Sequence, residues 1–237
     1  MTAERLIAIE TSSRHGSAAV AVGPRLLAAE EFAADLSHGV ELLPCIARLC
    51  EAAGWRPADL QIVAVSIGPG SFTGLRVAVT TARHLALATG ARIVAVPSLA
   101  VLAENARRLP DPPRNLAVIL DAKRRQVYVA GFARVAGGYV PRGPAVVADP
   151  AEWLAGQPRP LAVMGEGVMY HRAAVDAANV TVLDERTWIP RAADVHRLGW
   201  AAAQSGAFVP PRDLVPLYIR RPEAEELWEK RRPGAER

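Results

Sequence analysis

Lysine is nearly absent from this sequence: Lys123 and Lys230 are the only two, so almost all of its positive charge is arginine. Lys+Arg is 28 against Asp+Glu 24, a formal net charge of +4. That mild balance allows contact with RNA or phosphates but lacks the concentrated basic stripe of a dedicated nucleic-acid binder. Aromatic residues make up 5%, hydrophobic residues 51% and charged residues 22% of the 237 positions, which excludes disordered, collagen-like and disulfide-scaffold chains. Cysteine is scarce too. Cys45 and Cys50 stand five apart on one predicted helix, facing different sides, which suits neither a zinc site nor a local disulfide. They read as small buried apolar residues of a reducing compartment. No long apolar run exists: the richest stretch, residues 84–103, is interrupted by Arg92 and Pro97, so no membrane span is expected. Met1–Arg5 leads straight into a strand pattern without a signal-peptide core, and a cytoplasmic location is expected. His15, His38, His84, His171 and His196 are dispersed, no two of them three to five residues apart, so a helical His-pair metal site is not expected.

What is present is an alternation of short strands and helices. Leu6–Glu10, Ser17–Val22 and Arg25–Ala33 predict an antiparallel meander. Ser37 is placed to cap a helix reaching Ala53, with Pro44 expected to bend it or delay its start. Leu60–Ile67 is a nearly continuous apolar run, suited to a strand covered on both faces. The loop Gly68–Phe72 leads into a helix over 73–88, then a strand over 92–96 and a helix over 99–108 capped by Ser98. This order is α/β. Pro110–Pro113 breaks the chain and is the candidate lobe boundary, dividing 1–110 from 111–220 and leaving a charged tail at 221–237. Beyond it, Leu116–Asp121, a polar turn and Gln126–Phe132 repeat the opening of the chain: strand, terminal carboxylate, turn, strand. Two lobes that begin alike imply a duplicated fold with a cleft between them.

The strongest local signal is the strand-loop-helix with Gly68, Gly70, Ser71 and Gly74 around its turn. Glycine permits positive φ and close approach, and free N–H groups at a helix start favour an anion. Phosphate binding and a tight packing turn both fit. The segment is not a P-loop, lacking Gly-Lys-Ser/Thr, nor a nucleophile elbow, since Phe72 and Thr73 follow Ser71. Glu10 and Asp121, at strand ends, could hold a metal-bound nucleotide or orient water, or simply cap turns. In the first lobe, Val40, Leu42, Leu43, Ile46, Leu49 and Cys50 exceed one core-facing stripe, and Gly74, Ala78, Ala82 and Ala86 line one side of the next helix near Arg76 and Arg83. Such helices are either buried in one large domain or form an intersubunit surface.

Leu6–Ser12, His38–Pro44, the run Gly68-Pro69-Gly70-Ser71-Phe72-Thr73-Gly74-Leu75-Arg76, Val96–Leu99, Leu120–Ala122 with Val127-Tyr128, and Pro216–Arg220 together resemble the bacterial TsaB family, also called YeaZ. The glycine-rich run is the most specific piece, and residues 135–210 are covered weakly. The resemblance implies a two-lobed actin-like, sugar-kinase and Hsp70 ATPase (ASKHA) fold. It implies a role in making N6-threonylcarbamoyladenosine at position 37 of tRNA, as a non-catalytic paralogue that supports the transferase subunit TsaD. It further implies a homodimer when alone, assembly with the ATPase TsaE through the complex, and mainly indirect contact with tRNA. No cofactor is then required by this chain, with ATP or ADP entering at the level of the complex; Glu10, Gly68, Gly70, Ser71, Gly74 and Asp121 are the candidate cofactor-binding residues of the chain itself. The partner face would comprise His38, Leu42, Leu43, Ile46, Arg76, Ala78, Ala82 and Arg83. Two departures from the family pattern stand out: Glu10 replaces the usual Asp, moving a carboxylate by ~1.5 Å, and Gly39 replaces a common Ser. The rival readings are an independent ATPase or kinase of the same fold and, less favoured, a protease. Direct tRNA contact by Lys123-Arg124-Arg125 or the tail competes with a solvated charged surface, since Glu223, Glu225, Glu226 and Glu229 interleave with the tail's positive charges.

Overall fold

The computed structural model describes residues 4–33 and 38–220. Strands β1 (Arg5–Glu10), β2 (His15–Val22) and β3 (Arg25–Ala33) form the expected antiparallel meander, with Ile7 opposite Val20 and Ala19 opposite Ala29. Helix α1 (His38–Ala52) follows and runs through Pro44 without a break; the proline faces solvent. Its expected cap, Ser37, lies outside the described residues. Strand β4 (Ile62–Gly68) then pairs parallel with β1, helix α2 (Phe72–Thr89) crosses back, and strand β5 (Arg92–Pro97) pairs parallel with β4. Ser71 caps α2 by accepting from the Gly74 amide, and Gly90, at φ 77°, ends it in the left-handed conformation. The sheet order is β3-β2-β1-β4-β5. Its continuous apolar strands follow from two covered faces. Ile7, Ile9, Val63 and Val65 pack under α1 and α2, while Leu6, Ala8, Ile62 and Ala64 point to the opposite side.

Helix α3 (Ser98–Ala106) leads to a second sheet built from β6 (Asn115–Asp121), β7 (Val127–Val135), β8 (Gly138–Pro141) and β9 (Val146–Ala148). It is completed after helix α4 (Pro150–Ala155) by β10 (Ala162–Met164) and, after α5 (Gly167–Tyr170) and α6 (Arg172–Ala177), by β11 (Thr181–Val182). β6, β7 and β8 are antiparallel neighbours, and β10 and β11 add in parallel beyond β6. The order β8-β7-β6-β10-β11 therefore repeats the first sheet strand for strand, with β9 as an addition on β7. The short sequence repeat is thus the beginning of a whole repeated sheet, and the fold is the two-lobed, duplicated α/β architecture expected.

Two helices join the lobes. In α3 every residue but the half-buried Ala100 is buried: Leu99, Leu102 and Ala103 pack on the second sheet, while Val101 packs on the first. Ser98 is the first helical residue rather than the cap. Its hydroxyl bonds Ser66 Oγ at 2.7 Å and accepts from the Gly68 amide at 2.9 Å, which ties α3 to the end of β4. Helix α7 (Ala192–Gln204) comes late in the chain yet covers the open face of the first sheet, where Ala192 and Val195 join Leu6, Ala8 and Ala64. Ala192 N–H donates to Ser17 Oγ at 2.9 Å and the His196 ring meets Gly23 O at 2.9 Å. Further on, Val209 and Leu217 amides reach Ile93 O and Ile67 O. Residues 192–217, which the expected division at 110 assigns to the second lobe, thus pack largely on the first, because that sheet needs a second cover.

Gly199 lets α7 lie close to β4, since a Cβ there would stand 2.5 Å from the Ala64 methyl. Gly199→Val should therefore lower stability by about 1–3 kcal/mol through overpacking. A reduced urea midpoint at unchanged m-value is the expected reading; an unaltered midpoint would contradict the contact.

Candidate functional site: an interlobe cleft and a two-helix face

The turn after β1 and the glycine loop after β4 are packed backbone to backbone. A Cβ on Gly70 would stand 2.2 Å from Ser12 O, and one on Gly74 1.9 Å from Thr11 O, so no side chain fits at either position. The Ser71 amide donates to Ser12 O at 2.7 Å, the Gly74 amide to Ser71 Oγ, and Thr11 Oγ1 donates to Gly74 O at 2.7 Å. With the Gly68 amide on Ser98, three of the amides that a phosphate would use are already paired inside the protein. The loop is a packing turn, the second of the two readings open from sequence.

Glu10 lies at the end of β1, wholly buried. Its Oε1 accepts the Ser12 amide at 2.5 Å, and its Oε2 has no partner among the described residues. Burial pushes its carboxyl up; hydrogen bonds from Ser12 and Ser66 offset part of this, and Asp194 adds to the rise. Asp121, its counterpart after β6, is tied on three sides. Lys123 Nζ stands 2.8 Å from Oδ2, and the Lys123 amide and His171 Nε2 each lie 3.2 Å from Oδ1. Burial pushes this carboxyl up, but the Lys123 and His171 hydrogen bonds outweigh it and hold it below the usual aspartate range. Lys123, Arg124 and Arg125, which close this turn, all have positive φ, at 60°, 52° and 59°.

Of the six residues expected to hold a nucleotide, Glu10 and the Gly68–Gly74 loop meet through the turn after β1, and Asp121 ends the corresponding strand of the second sheet. None of Glu10, Gly68, Gly70, Ser71, Gly74 and Asp121 lines the cavity between the lobes, about 460 Å³, whose walls come from Ser12–His15, α3, α5 and residues 185–190. Leu102, Leu120, Met169, Trp188 and Ile189 give the cavity an apolar body, and Arg14, Glu166, Glu185 and Arg186 give it a charged rim. Burial and then the Asp121 charge raise the Glu166 carboxyl, partly offset by Arg14 and Lys123. The sequence pointed to a cleft between the lobes but not to the residues that line it. The usable signal was Gly165-Glu166-Gly167: Cβ atoms on the two glycines would meet the Ile119 backbone at 2.3 Å and 3.0 Å, and that close packing sets Glu166 beside β6.

The second candidate surface is the outer face of α1 and α2, which approach where Gly39 meets Val77. Here the expected partner residues separate. Leu42, Ile46, Ala78 and Ala82 are core residues, and His38 is buried with its ring edge-on to Phe32 and Nε2 unpartnered among the described residues. Burial pushes its imidazole down, with a smaller opposing effect from the Ser13 backbone. These five are corrected: they support the face from beneath and do not form it. Leu43 and Arg76 are exposed and Arg83 is half-buried. The outward apolar groups are Val40, 70% exposed, and Leu43, 55% exposed, on α1, with Leu87 at 71% on α2. At the start of α2 the Arg76 guanidinium lies 3.8 Å above the Phe72 ring and donates to Tyr218 Oη at 3.3 Å.

A family model described as TsaD, tRNA N6-adenosine threonylcarbamoyltransferase, matches residues 32–228. The tRNA threonylcarbamoyladenosine biosynthesis protein TsaB of Bacillus subtilis (strain 168) is 33% identical over 199 residues, 81% of this chain and 83% of that protein. The chain belongs to the TsaB family. The Escherichia coli (strain K12) TsaB protein is 26% identical, across 98% of this chain and 100% of its own length. The structure of YeaZ from Pseudomonas aeruginosa superposes with a TM-score of 0.81 at 27% identity, covering 91% of this chain and 99% of that one. TsaB-family membership and the repeated sheets agree on the two-lobed fold.

Because the Glu10 carboxyl is raised in the folded chain, the native state binds more protons than the unfolded one above the ordinary value of 4.5. Its contribution to stability is then greatest at low pH and falls as pH rises from that value through the raised one. Glu10→Gln should flatten this decline. Urea titrations of both proteins from acid to neutral pH measure it, and parallel curves would refute the assignment.

Proposed function

We propose that this chain is a non-catalytic supporting subunit in the formation of threonylcarbamoyladenosine on tRNA, and that it binds a TsaD-type transferase through the outer face of α1 and α2. The family's named members are tRNA threonylcarbamoyladenosine biosynthesis proteins, which supports a role in that modification. The observation that carries the partner assignment is the exposure of Val40 and Leu43 side by side on α1, above a core stripe already filled by Leu42 and Ile46. These outward side chains are surplus to the chain's own packing. A match of the TsaD model to a chain of the same lobed design also supports pairing between related subunits, and the same face would serve a homodimer when the chain is alone. TsaE would join through the complex, ATP or ADP would act at that level, and tRNA contact would be chiefly the partner's. One feature favours the rival ATPase or kinase: the interlobe cavity is large enough for a small ligand. ATP turnover by the purified chain, lost in Asp121→Ala, would establish that rival.

Val40→Asp with Leu43→Asp should leave the fold intact and weaken association with purified TsaD by about 30-fold or more, the effect of losing a central anchor of 2 kcal/mol. Threonylcarbamoyladenosine formation on tRNA should fall with it. Modification that persists without association would sink the reading. Leu42→Asp, by contrast, should fail to fold because it buries a charge in the core.

A further inference from the structure

Arginine gathers at one end of the second sheet. Arg114 precedes β6, Arg134 lies near the end of β7 and Arg142 follows β8; with Arg107, just past α3, all four are exposed. The strand pairing brings them together: the Arg134 amide donates to Arg114 O at 3.0 Å and the Arg142 amide to Gly131 O at 2.8 Å. A hollow of about 300 Å³ opens here, with Arg107, Arg134, Pro112, Gly137, Gly138 and Tyr139 in its wall and no carboxylate among the described residues that line it. Both guanidiniums are held from behind. Glu104, buried in α3, lies 3.2 Å from Arg107 Nε, pairs with Arg197 as well and accepts the Tyr139 amide at 3.4 Å. Arg134 Nη1 donates to Pro112 O. A guanidinium has five N–H groups, so such anchoring fixes its plane and leaves further donors for an anion. Gly137, at φ 89°, and Gly138, where a Cβ would stand 2.9 Å from Glu104 Oε1 and Arg197 Nη2, keep the hairpin turn close over these pairs. Tyr139 Oη donates to Pro113 O at 2.8 Å, and burial pushes its phenol up to about 12 against the pull of Arg134, so this wall brings no negative charge.

We propose that this hollow holds a phosphate of a structured RNA backbone, with Arg107 and Arg134 on its oxygens and Arg114 and Arg142 on neighbouring phosphates. Planar guanidiniums match phosphate oxygens in pairs, and pinned ones lose little freedom on binding. The assignment rests on the role in tRNA modification argued above and extends it: this chain grips and orients the RNA while the partner acts on the base. Phosphate contacts position a nucleic acid without reading its sequence, which is work a non-catalytic subunit can do. A few such contacts need no strongly basic chain, in keeping with a net charge of +4. The hollow shares no residue with the outer face of α1 and α2, so the two contacts can be separated by mutation.

Fluorescence anisotropy of a labelled, unmodified tRNA transcript with the full-length chain, titrated from low to physiological salt, tests this. Arg107→Gln with Arg134→Gln should weaken binding about tenfold at low salt and reduce the slope of log Kd against log salt by about 1 per arginine. Arg107→Lys with Arg134→Lys should keep most of that slope. Removing equal charge from exposed positions of the first lobe, by Arg25→Gln with Arg212→Gln, should change both quantities little. Absence of binding by the wild-type chain at low salt, or equal losses in the two glutamine pairs, would overturn the proposal. So would displacement of the tRNA by inorganic phosphate beyond that by chloride at equal ionic strength, which would assign the hollow to a small free anion. Association with purified TsaD should be the same in every variant. A failed partner face would show as no association in any of them, and the dependence of tRNA binding on Arg107 and Arg134 would still be read by itself.

Discussion

Helix α3 is buried at every position but the half-buried Ala100, and the relation between the lobes follows from that constraint. A buried helix must satisfy its polar groups within the protein, and here each is matched by a different element. Glu104 pairs with Arg107 and with Arg197 of α7 and accepts from the Tyr139 amide of β8. Asn105 donates to Thr187 O and Ile189 O, and Arg108, just past the helix, spans to Asp194 of α7. Both sheets, the late helix and the cavity wall are therefore referenced to one short segment. Removing one partner of a buried pair leaves the other charge uncompensated, which is far more damaging than losing a surface bridge. Such wiring favours a fixed interlobe geometry over the opening and closing that lobed enzymes use.

The same economy governs the first turn. Glycines at 70 and 74 bring the α2 loop onto the carbonyls of Thr11 and Ser12, leaving no room for a side chain at either position. Glu10 stays internal beneath it, and Asp121 is held by its lysine and histidine. The architecture of a ligand-closing fold is kept while its customary contact groups are redirected to packing. The outer face of α1 and α2 inherits the interest, because its apolar side chains have no such internal assignment.

Much of this was legible in the sequence, for identifiable reasons. Strand ends such as Glu10 and Asp121, and the glycine turn before α2, are set by local chemistry that reads directly from residue order. The repeat of strand, acid, turn and strand announced the second sheet. Other features were hidden because they depend on which of two apolar stripes turns inward. In α1, Leu42 and Ile46 are buried while Leu43 and Val40 are not, although all four are good core residues. Ser98 looked like a cap and instead bridges β4 and α3, a contact across 30 residues or more that no local rule contains. The cavity draws its wall from five separate segments, so no motif spells it.

The return of α7 to the first sheet also bears on how the chain is made. Leu6, Ala8, Ile62 and Ala64 leave the ribosome well before their cover, Ala192 and Val195, which follows more than 120 residues after Ala64. At ~5–20 residues per second, that sheet face stays open for roughly ten seconds or more of synthesis. The two lobes are repeats in topology but not in biogenesis. The lobe whose strands come earlier is completed only after the strands of the second, which makes the nascent first lobe the natural client for a holding chaperone.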